Sequence, residues 1–258
     1  MRIIIRLNSE NTIKVPFNYN SIITGIIYTT LHDKHYSNHL HEDKGFKYFT
    51  ISQLYFYKFN IDHTHQQFNV KDGFSFIVSC PDNYFINTLM QGLAEQQYVW
   101  LNNQRLTVES IIVEPYFKKD VTTTYYTLSP ILVRTKRLIE GKEKVHDLNP
   151  SETQFYTQIR ELLIKKHNQY HNKEEYTTSD IQVTSQMRNT RGVRIAIKKH
   201  DNITYNRSYF MDITITAPPP LQDFIYDCGV GEKTAMGFGC ISLGKTEKEV
   251  KKQFQQMS

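Results

Sequence analysis

A chain of 258 residues with 39% hydrophobic and 22% charged side chains has the balance of a folded globular protein, long enough for one large domain or two of roughly 100 to 150 residues. No apolar run approaches the ~20 residues of a membrane-spanning helix, and the opening Met1-Arg-Ile-Ile-Ile-Arg-Leu7 is too short and too soon charged for a secretory leader, so a cytoplasmic location away from membranes is expected. The net charge of +5 is a mild bias, and the three cysteines, Cys80, Cys228 and Cys240, form no Cys-x-x-Cys pair and read as buried reduced thiols rather than a zinc or redox site.

Arg2 to Leu7 reads as a first strand. Pro16 and the turn Asn18-Tyr-Asn20 lead to a helix with Ser21 as N-cap, in which Ile22, Ile23, Ile26, Ile27 and Leu31 share one face. Tyr28 falls outside that arc and is not needed as core. A polar connection follows, with four of the ten histidines, His32, His35, His39 and His41, inside ten residues. A cation could use His35 and His39 at i,i+4 with a carboxylate, but no His-Glu-x-x-His and no cysteine supports it, so no metal and no cofactor is expected. Solvated rings account for His32 and His35, while one or two imidazoles beside a binding surface would suit acid–base chemistry.

Phe46 to Tyr57, Gln67 to Val70 and Gly73 to Ser79 are rich in aromatic and β-branched residues and read as antiparallel strands. Pro81-Asp82 opens a helix to about Gln97 with Phe85, Leu89, Met90 and Leu93 inward, and Arg105 to Val113 closes the unit as a strand. The order is β-α-β-β-α-β, a ferredoxin-like split unit. The second half repeats it: a strand over Tyr125 to Arg134, a helix from the Asn149-Pro-Ser-Glu cap to His167, a loop from Asn168 to Thr178, strands over Ile181 to Thr184, Arg191 to Lys199 and Ile203 to Thr216, a short helix from Pro218 to Asp227, and a last strand over Gly239 to Leu243. The fold class expected is α+β, two tandem ferredoxin-like (RRM-like) domains with antiparallel sheets, spanning 1–116 and 117–258, with a charged tail from Gly244.

Two features of the second half point to an anionic partner. Arg188, Arg191, Arg194, Lys198, Lys199 and Arg207 face the single Asp201, and along the strand Val193, Ile195 and Ile197 alternate with Arg194, Ala196 and Lys198, so one face can meet a core while the other offers cations to a nucleic-acid backbone. The stretch Gly229-Val-Gly-Glu-Lys-Thr-Ala-Met-Gly-Phe-Gly239 holds four of the chain's 11 glycines. It fits neither a P-loop, since Glu232 precedes Lys233, nor a dinucleotide fingerprint, since Thr234 stands where a glycine is needed. A structural turn and a phosphate cradle both remain open on these residues alone.

The pattern Gly-x-Gly ending in Gly-Phe-Gly before a terminal strand resembles the signature loop of the RAMP superfamily of CRISPR-associated proteins. The front end, with Gly25-Ile-Ile-Tyr28, Leu40-His41, Gly45-Phe46 and Phe49-Thr-Ile-Ser-Gln-Leu54, resembles its repeat-RNA endoribonuclease branch. That resemblance implies metal-independent cleavage of CRISPR precursor RNA within its repeats, with 2′,3′-cyclic phosphate and 5′-hydroxyl ends. Its tyrosine, histidine and lysine fall on Tyr28, His41 and Lys47. His39 and Lys44 are the alternatives, because three residues separate His41 from Gly45 where the family often has two. Arg191, Arg194, Lys198 and the loop residues Gly229, Gly231, Lys233, Gly237 and Gly239 are then expected to bind RNA. Hand-over of the product to a CRISPR effector complex and a monomeric or homodimeric state are further expectations. A non-catalytic RAMP-type RNA-binding subunit of an effector complex is the alternative function.

Overall fold

The computed structural model describes residues 1–199, 202–244, 249–250 and 252, and the charged tail expected from Gly244 lies mostly outside them. In chain order the first half comprises β1 (Arg2–Asn8), β2 (Ile13–Pro16), α1 (Asn20–Thr30), α2 (Lys34–Glu42), β3 (Thr50–Ile51), β4 (Tyr55–Asp62), β5 (Gln67–Ser79), α3 (Asn83–Gln96), β6 (Tyr98–Leu101) and β7 (Gln104–Val113). The second comprises β8 (Thr122–Thr127), β9 (Arg134–Ile139), β10 (Lys142–Asp147), α4 (Thr153–His171), β11 (Gln182–Lys199), β12 (Asn202–Thr216), α5 (Pro219–Cys228), a 3₁₀ turn (Thr234–Met236) and β13 (Ile241–Leu243).

Within the first sheet β4-β5-β1-β7 run antiparallel, and in the second the order is β11-β12-β8-β13, also antiparallel. Both are ferredoxin-like arrangements, one per half, and the fold is α+β. The additions β2 and β3 pair with opposite edges of β5, and β6 extends the β7 edge. Each sheet buries one face against its helices. Ile23 and Ile27 of α1 and Phe85, Leu89 and Leu93 of α3 fill the first core, while Phe155, Ile159 and Leu163 of α4 with Leu221 and Ile225 of α5 fill the second. A fully buried side chain of this size contributes about 1.5–3 kcal/mol, so a few suffice to dock each helix.

Several sequence expectations shift. The α1 N-cap is Tyr19 without a side-chain bond, so Ser21 lies inside the helix. The histidine-rich connection contains a helix, α2. The strand expected over Phe46 to Tyr57 is a short β3 followed by β4, and the two strands expected over 181–199 are one, β11, whose pairing with β12 shifts register between Gln186 and Arg191. The strand expected to run to Arg134 stops at Thr127, and β9 and β10 form a separate two-stranded hairpin.

The two domains meet in a third apolar cluster that joins Ile4, Tyr55 and Ile77 to Leu128 and Cys240. Arg2, 4% exposed, donates from its guanidinium to the carbonyls of Ile241 (2.8 Å) and Tyr226 (3.0 Å) and lies 3.8 Å over the Tyr226 ring. The three cysteines are buried and unpaired, and burial pushes their thiols up, that of Cys240 to about 11.

The tightest point of the glycine-rich loop on the second domain's side of the joint is Gly239. At φ +66° a Cβ there would stand 1.8 Å from the Val230 carbonyl, whereas Gly141, at φ +74° in the β9–β10 turn, has open space. Gly239→Ala is therefore expected to cost about 3 kcal/mol or more of unfolding free energy, and Gly141→Ala about 1 kcal/mol. Urea unfolding midpoints check this, and equal midpoints for the two variants would remove Gly239 from the joint.

Candidate active site

Asp33 starts α2 by accepting the Tyr36 N–H (2.9 Å), and Asp82 starts α3 by accepting the Tyr84 N–H (2.8 Å). The two caps are crossed: the Tyr36 hydroxyl donates to Asp82 (2.8 Å) and the Tyr84 hydroxyl to Asp33 (2.7 Å). So α2 is fixed to α3 at its first turn. Towards α1 it is fixed by Ser37, whose hydroxyl donates to the Tyr28 carbonyl at 2.7 Å. His41 is one turn beyond Ser37 and shares that face. Its ring stands edge-on to the half-buried Tyr28 ring, with centroids 5.6 Å apart and planes at 86°. His39, two residues from Ser37, projects from the other side and is exposed, as is His35. Among the described residues no three histidine, cysteine or carboxylate side chains converge.

Asp43 ends α2 and folds the chain back. Its carboxylate accepts the Gly45 N–H (2.9 Å), which holds it below the usual carboxylate range, and the Lys47 ammonium donates to its carbonyl while lying 3.6 Å from its carboxylate. Burial first, and the Asp43 charge second, push the Tyr28 phenol up to about 12. Tyr28 is thus neutral at physiological pH, a hydrogen-bond donor and a poor base.

The segment after Asp43 crosses to the second domain. Phe46 lies 5.9 Å below the Lys166 ammonium, the Tyr48 ring meets Tyr170 at 5.0 Å, the Lys47 carbonyl accepts from Thr234, and the Thr50 hydroxyl donates to the Phe238 carbonyl at 3.0 Å. A cleft of about 400 Å³ opens there, its cations being Lys44, Lys47, Arg134, Lys166 and Lys233 against the single carboxylate Glu232. Arg134 is committed to Glu232 (Nε to Oε2, 2.9 Å). Lys166, 3% exposed, donates to the Gly231 carbonyl at 2.9 Å, and burial lowers its pKa. Lys233 donates to Asn206 at 2.7 Å, and burial and then Arg134 lower its pKa.

Lys233 and Lys44 therefore join Lys47 at one cleft. Gly229, Gly231, Gly237 and Gly239 are buried behind it, and the N–H groups of Gly229, Gly237 and Gly239 donate to Ile225, Thr234 and Pro130 within the protein. Arg191 and Arg194 stand apart from the cleft on opposite faces of β11, over the rings of Phe210 and Tyr205, each at 4.4 Å, so the cationic face expected to carry both carries Arg194 alone of the two. The cationic face is interrupted at Ala196, which is buried and whose N–H points to Asn18 of the first domain (3.3 Å). The side chain of Lys198 lies outside the described residues.

Two family models match the chain: CRISPR-associated protein Cas6, N-terminal, over residues 14–112, and CRISPR associated protein Cas6, C-terminal, over residues 112–243. The chain belongs to the Cas6 family. CRISPR-associated endoribonuclease Cas6 1 of Methanocaldococcus jannaschii is 30% identical over 244 residues, 93% of this chain and 92% of that protein. CRISPR-associated endoribonuclease Cas6 of Pyrococcus furiosus is 28% identical over 261 residues, 98% and 94% of the two chains. A solved structure of a CRISPR associated protein Cas6 superposes with a TM-score of 0.78 at 29% identity, covering 95% of this chain and 99% of the other.

In this Cas6 family member several site residues carried too little pattern to be singled out from sequence. Ser37, Asp43, Arg134, Lys166 and Glu232 look like ordinary polar positions in the chain. The hairpin that places Arg134 did carry a mark, the two-residue turn Glu140-Gly141 with both φ positive, flanked by segments of matched length. The α2 cap also had one, Asp33 just ahead of the helical segment.

The raised pKa of Tyr28 has a definite sign. Its share of stability is fully present below the ordinary value near pH 10 and is lost as pH rises towards about 12. With ring-labelled tyrosine, the Tyr28 Cζ resonance, assigned by its loss in Tyr28→Phe, is expected to keep its neutral position at about pH 10.5, where a free phenol is mostly ionised. A signal already half shifted there would contradict the buried environment.

Proposed function

We propose that this chain is an endoribonuclease that cuts CRISPR precursor RNA within its repeats, without a metal ion, leaving 2′,3′-cyclic phosphate and 5′-hydroxyl ends. The observation that carries the reading is the edge-on pair Tyr28–His41 with Lys47 held by the same chain reversal at the mouth of a cation-lined cleft. The match to the two endoribonucleases of M. jannaschii and P. furiosus over nearly their whole lengths supports it.

The chemistry follows from what the substrate brings. An RNA 2′-hydroxyl beside its own phosphate is an intramolecular nucleophile, so positioning replaces a second reactant. Its oxygen attacks phosphorus as its proton leaves, the phosphorane carries one more negative charge, and the bond to the departing 5′-oxygen breaks as that oxygen takes up a proton. His41, whose ring is exposed beside Tyr28, transfers the proton, a role worth about 10²–10⁴ in rate. Tyr28 stays protonated and orients the phosphate through its hydroxyl. Lys47 balances the charge of the phosphorane, exchanging its contact with Asp43 for one with the phosphate. Arg191, Arg194, Lys198 and Lys233 hold the RNA backbone, and the four buried glycines shape the loop that presents Lys233. The helical phase of α2 supports His41 over His39, and the tether to Asp43 supports Lys47 over Lys44, which remains a cleft-lining cation. The same reading has the enzyme working in the cytoplasm and its product passing to an effector complex.

Labelled repeat RNA is the substrate for the test. Replacing the 2′-hydroxyl at the cut position by hydrogen is expected to stop cleavage while leaving binding, and excess chelator is expected to leave the rate unchanged. His41→Ala should lower the single-turnover rate by about two orders of magnitude or more, with binding weakened at most about tenfold, whereas His39→Ala should stay near wild type. Cutting of the 2′-deoxy RNA would sink the mechanism, a rate loss confined to His39→Ala would reassign the histidine, and RNA that is shifted but left whole would make the chain a binding subunit.

A further inference from the structure

The cleft beside Lys47 is the first of three adjoining hollows. A second, of about 420 Å³, shares Arg134 and Glu232 with it, and a third, of about 290 Å³, shares Val145 with the second. Together they trace a groove from the candidate active site past the base of the β9–β10 hairpin to the β11–β12 ladder. The third hollow is walled by β10 on one side and by Arg194, Tyr205 and Arg207 on the other.

Three features of that end hollow are unusual for a surface that meets only water. Arg194 and Arg207 stand directly opposite each other in the β11–β12 register, where like charges repel. Among the described residues neither guanidinium pairs with a carboxylate; Asp147, the one acid in the wall, accepts the backbone N–H of Arg207 at 2.7 Å. Beside them Tyr205 is 55% exposed, far more than a core tyrosine, with the Arg194 guanidinium 4.4 Å from its ring centre. A cation pair without a counter-ion next to a presented ring suits a ligand that is at once anionic and flat. A nucleotide within a single strand is such a ligand, since its phosphate satisfies the arginines and its base has a π-face that stacks on aromatic and guanidinium planes.

We propose that this hollow is a nucleotide subsite for single-stranded RNA, in which one base stacks against the Tyr205–Arg194 pair and the adjoining phosphate lies between Arg194 and Arg207. It is reached along the groove from the cleavage site, so it holds a repeat nucleotide several positions from the cut. Arg194 thereby acts on both base and phosphate, whereas Arg207 acts on phosphate alone. The proposal rests on the endoribonuclease reading for its ligand, although binding and cutting are separate measurements.

The probe is the repeat RNA made uncleavable by a 2′-deoxy nucleotide at the cut position, together with a set in which each unpaired nucleotide in turn is abasic. Tyr205→Ala is expected to weaken binding of the intact RNA about 5- to 150-fold with an unchanged salt slope, and Tyr205→Phe to restore most of it. Arg207→Gln is expected to flatten the dependence of log affinity on log salt by about 0.7, the release expected per lost single-strand phosphate contact. The loss from Tyr205→Ala should vanish on RNA abasic at one position, or two neighbouring ones, and persist on the others. An affinity for Tyr205→Ala within twofold of wild type, or a loss equal at every abasic position, overturns the subsite. Both substituted side chains are exposed, and thermal unfolding of each variant separates loss of fold from loss of contact. Cleavage of ordinary repeat RNA by the wild-type protein is scored in parallel: its absence sinks the activity and not the subsite, and its presence with normal binding by Tyr205→Ala does the reverse.

Discussion

The structure turns on the packing of the glycine-rich loop against the first domain. Asn20 donates to the Met236 carbonyl (2.8 Å), Thr24 to that of Ala235 (2.7 Å) and Thr50 to that of Phe238 (3.0 Å), so two elements of the first domain, α1 and β3, hang on one loop of the second. Such a loop must bring its carbonyls outwards towards those side chains while its own strands close behind it. That is why its backbone enters the left-handed region at Gly229, Gly231, Lys233, Gly237 and Gly239. A Cβ at Gly237 would meet the Asn20 amide at 2.6 Å, so the same absence of side chains that permits the turns permits the docking.

This joint explains how a site whose candidate catalytic groups, Tyr28, His41 and Lys47, all come from the first domain depends on the second. Asn20 and Thr24 lie on α1, which carries Tyr28 one turn further on, and Thr50 lies just past Lys47. Fixing both ends sets the distance across which α2 must present His41. The crossed caps between α2 and α3 set the other end of that helix, so the histidine is placed by the cap and Ser37 of its helix, and its ring meets the Tyr28 ring edge-on. The ring is left exposed. For a proton-transfer group this is the useful arrangement, because a ring immobilised by internal partners has no nitrogen left for substrate.

The order of elements in both ferredoxin-like units was legible in the sequence, since it follows from alternation, helical spacing and the Pro-Asp and Asn-Pro-Ser-Glu starts, all of which are local. The Tyr28, His41 and Lys47 positions came from resemblance, and nothing in spacing alone separates His41 from His39. The phase of α2 relative to Ser37, which favours His41, could not be read because α2 itself was obscured: a nine-residue polar helix offers only the Tyr36–Leu40 pair as its apolar stripe. The glycines were legible as a place of tight turning, but not as an interdomain joint, because the groups they admit, Asn20, Thr50 and Leu132, are distant in sequence. Lys166 was hidden for a similar reason: in a helix read by periodicity it is one more lysine, and only the approach of the Gly231 carbonyl makes it a buried one.

The cleft cations are incompletely compensated in the free protein. Burial lowers the pKa of both Lys166 and Lys233, which means that each ammonium is held at a cost that its present partners, a carbonyl and an amide oxygen, only partly offset. Glu232 works in the opposite direction, its charge raising both pKa values, but burial outweighs it and its oxygens are engaged by Arg134. Removing that cost by adding carboxylates would neutralise the cleft, whereas a phosphate removes it only when substrate is present. The cleft of the free protein thus holds incompletely compensated positive charge, the feature on which the proposed RNA contact at Lys233 would draw.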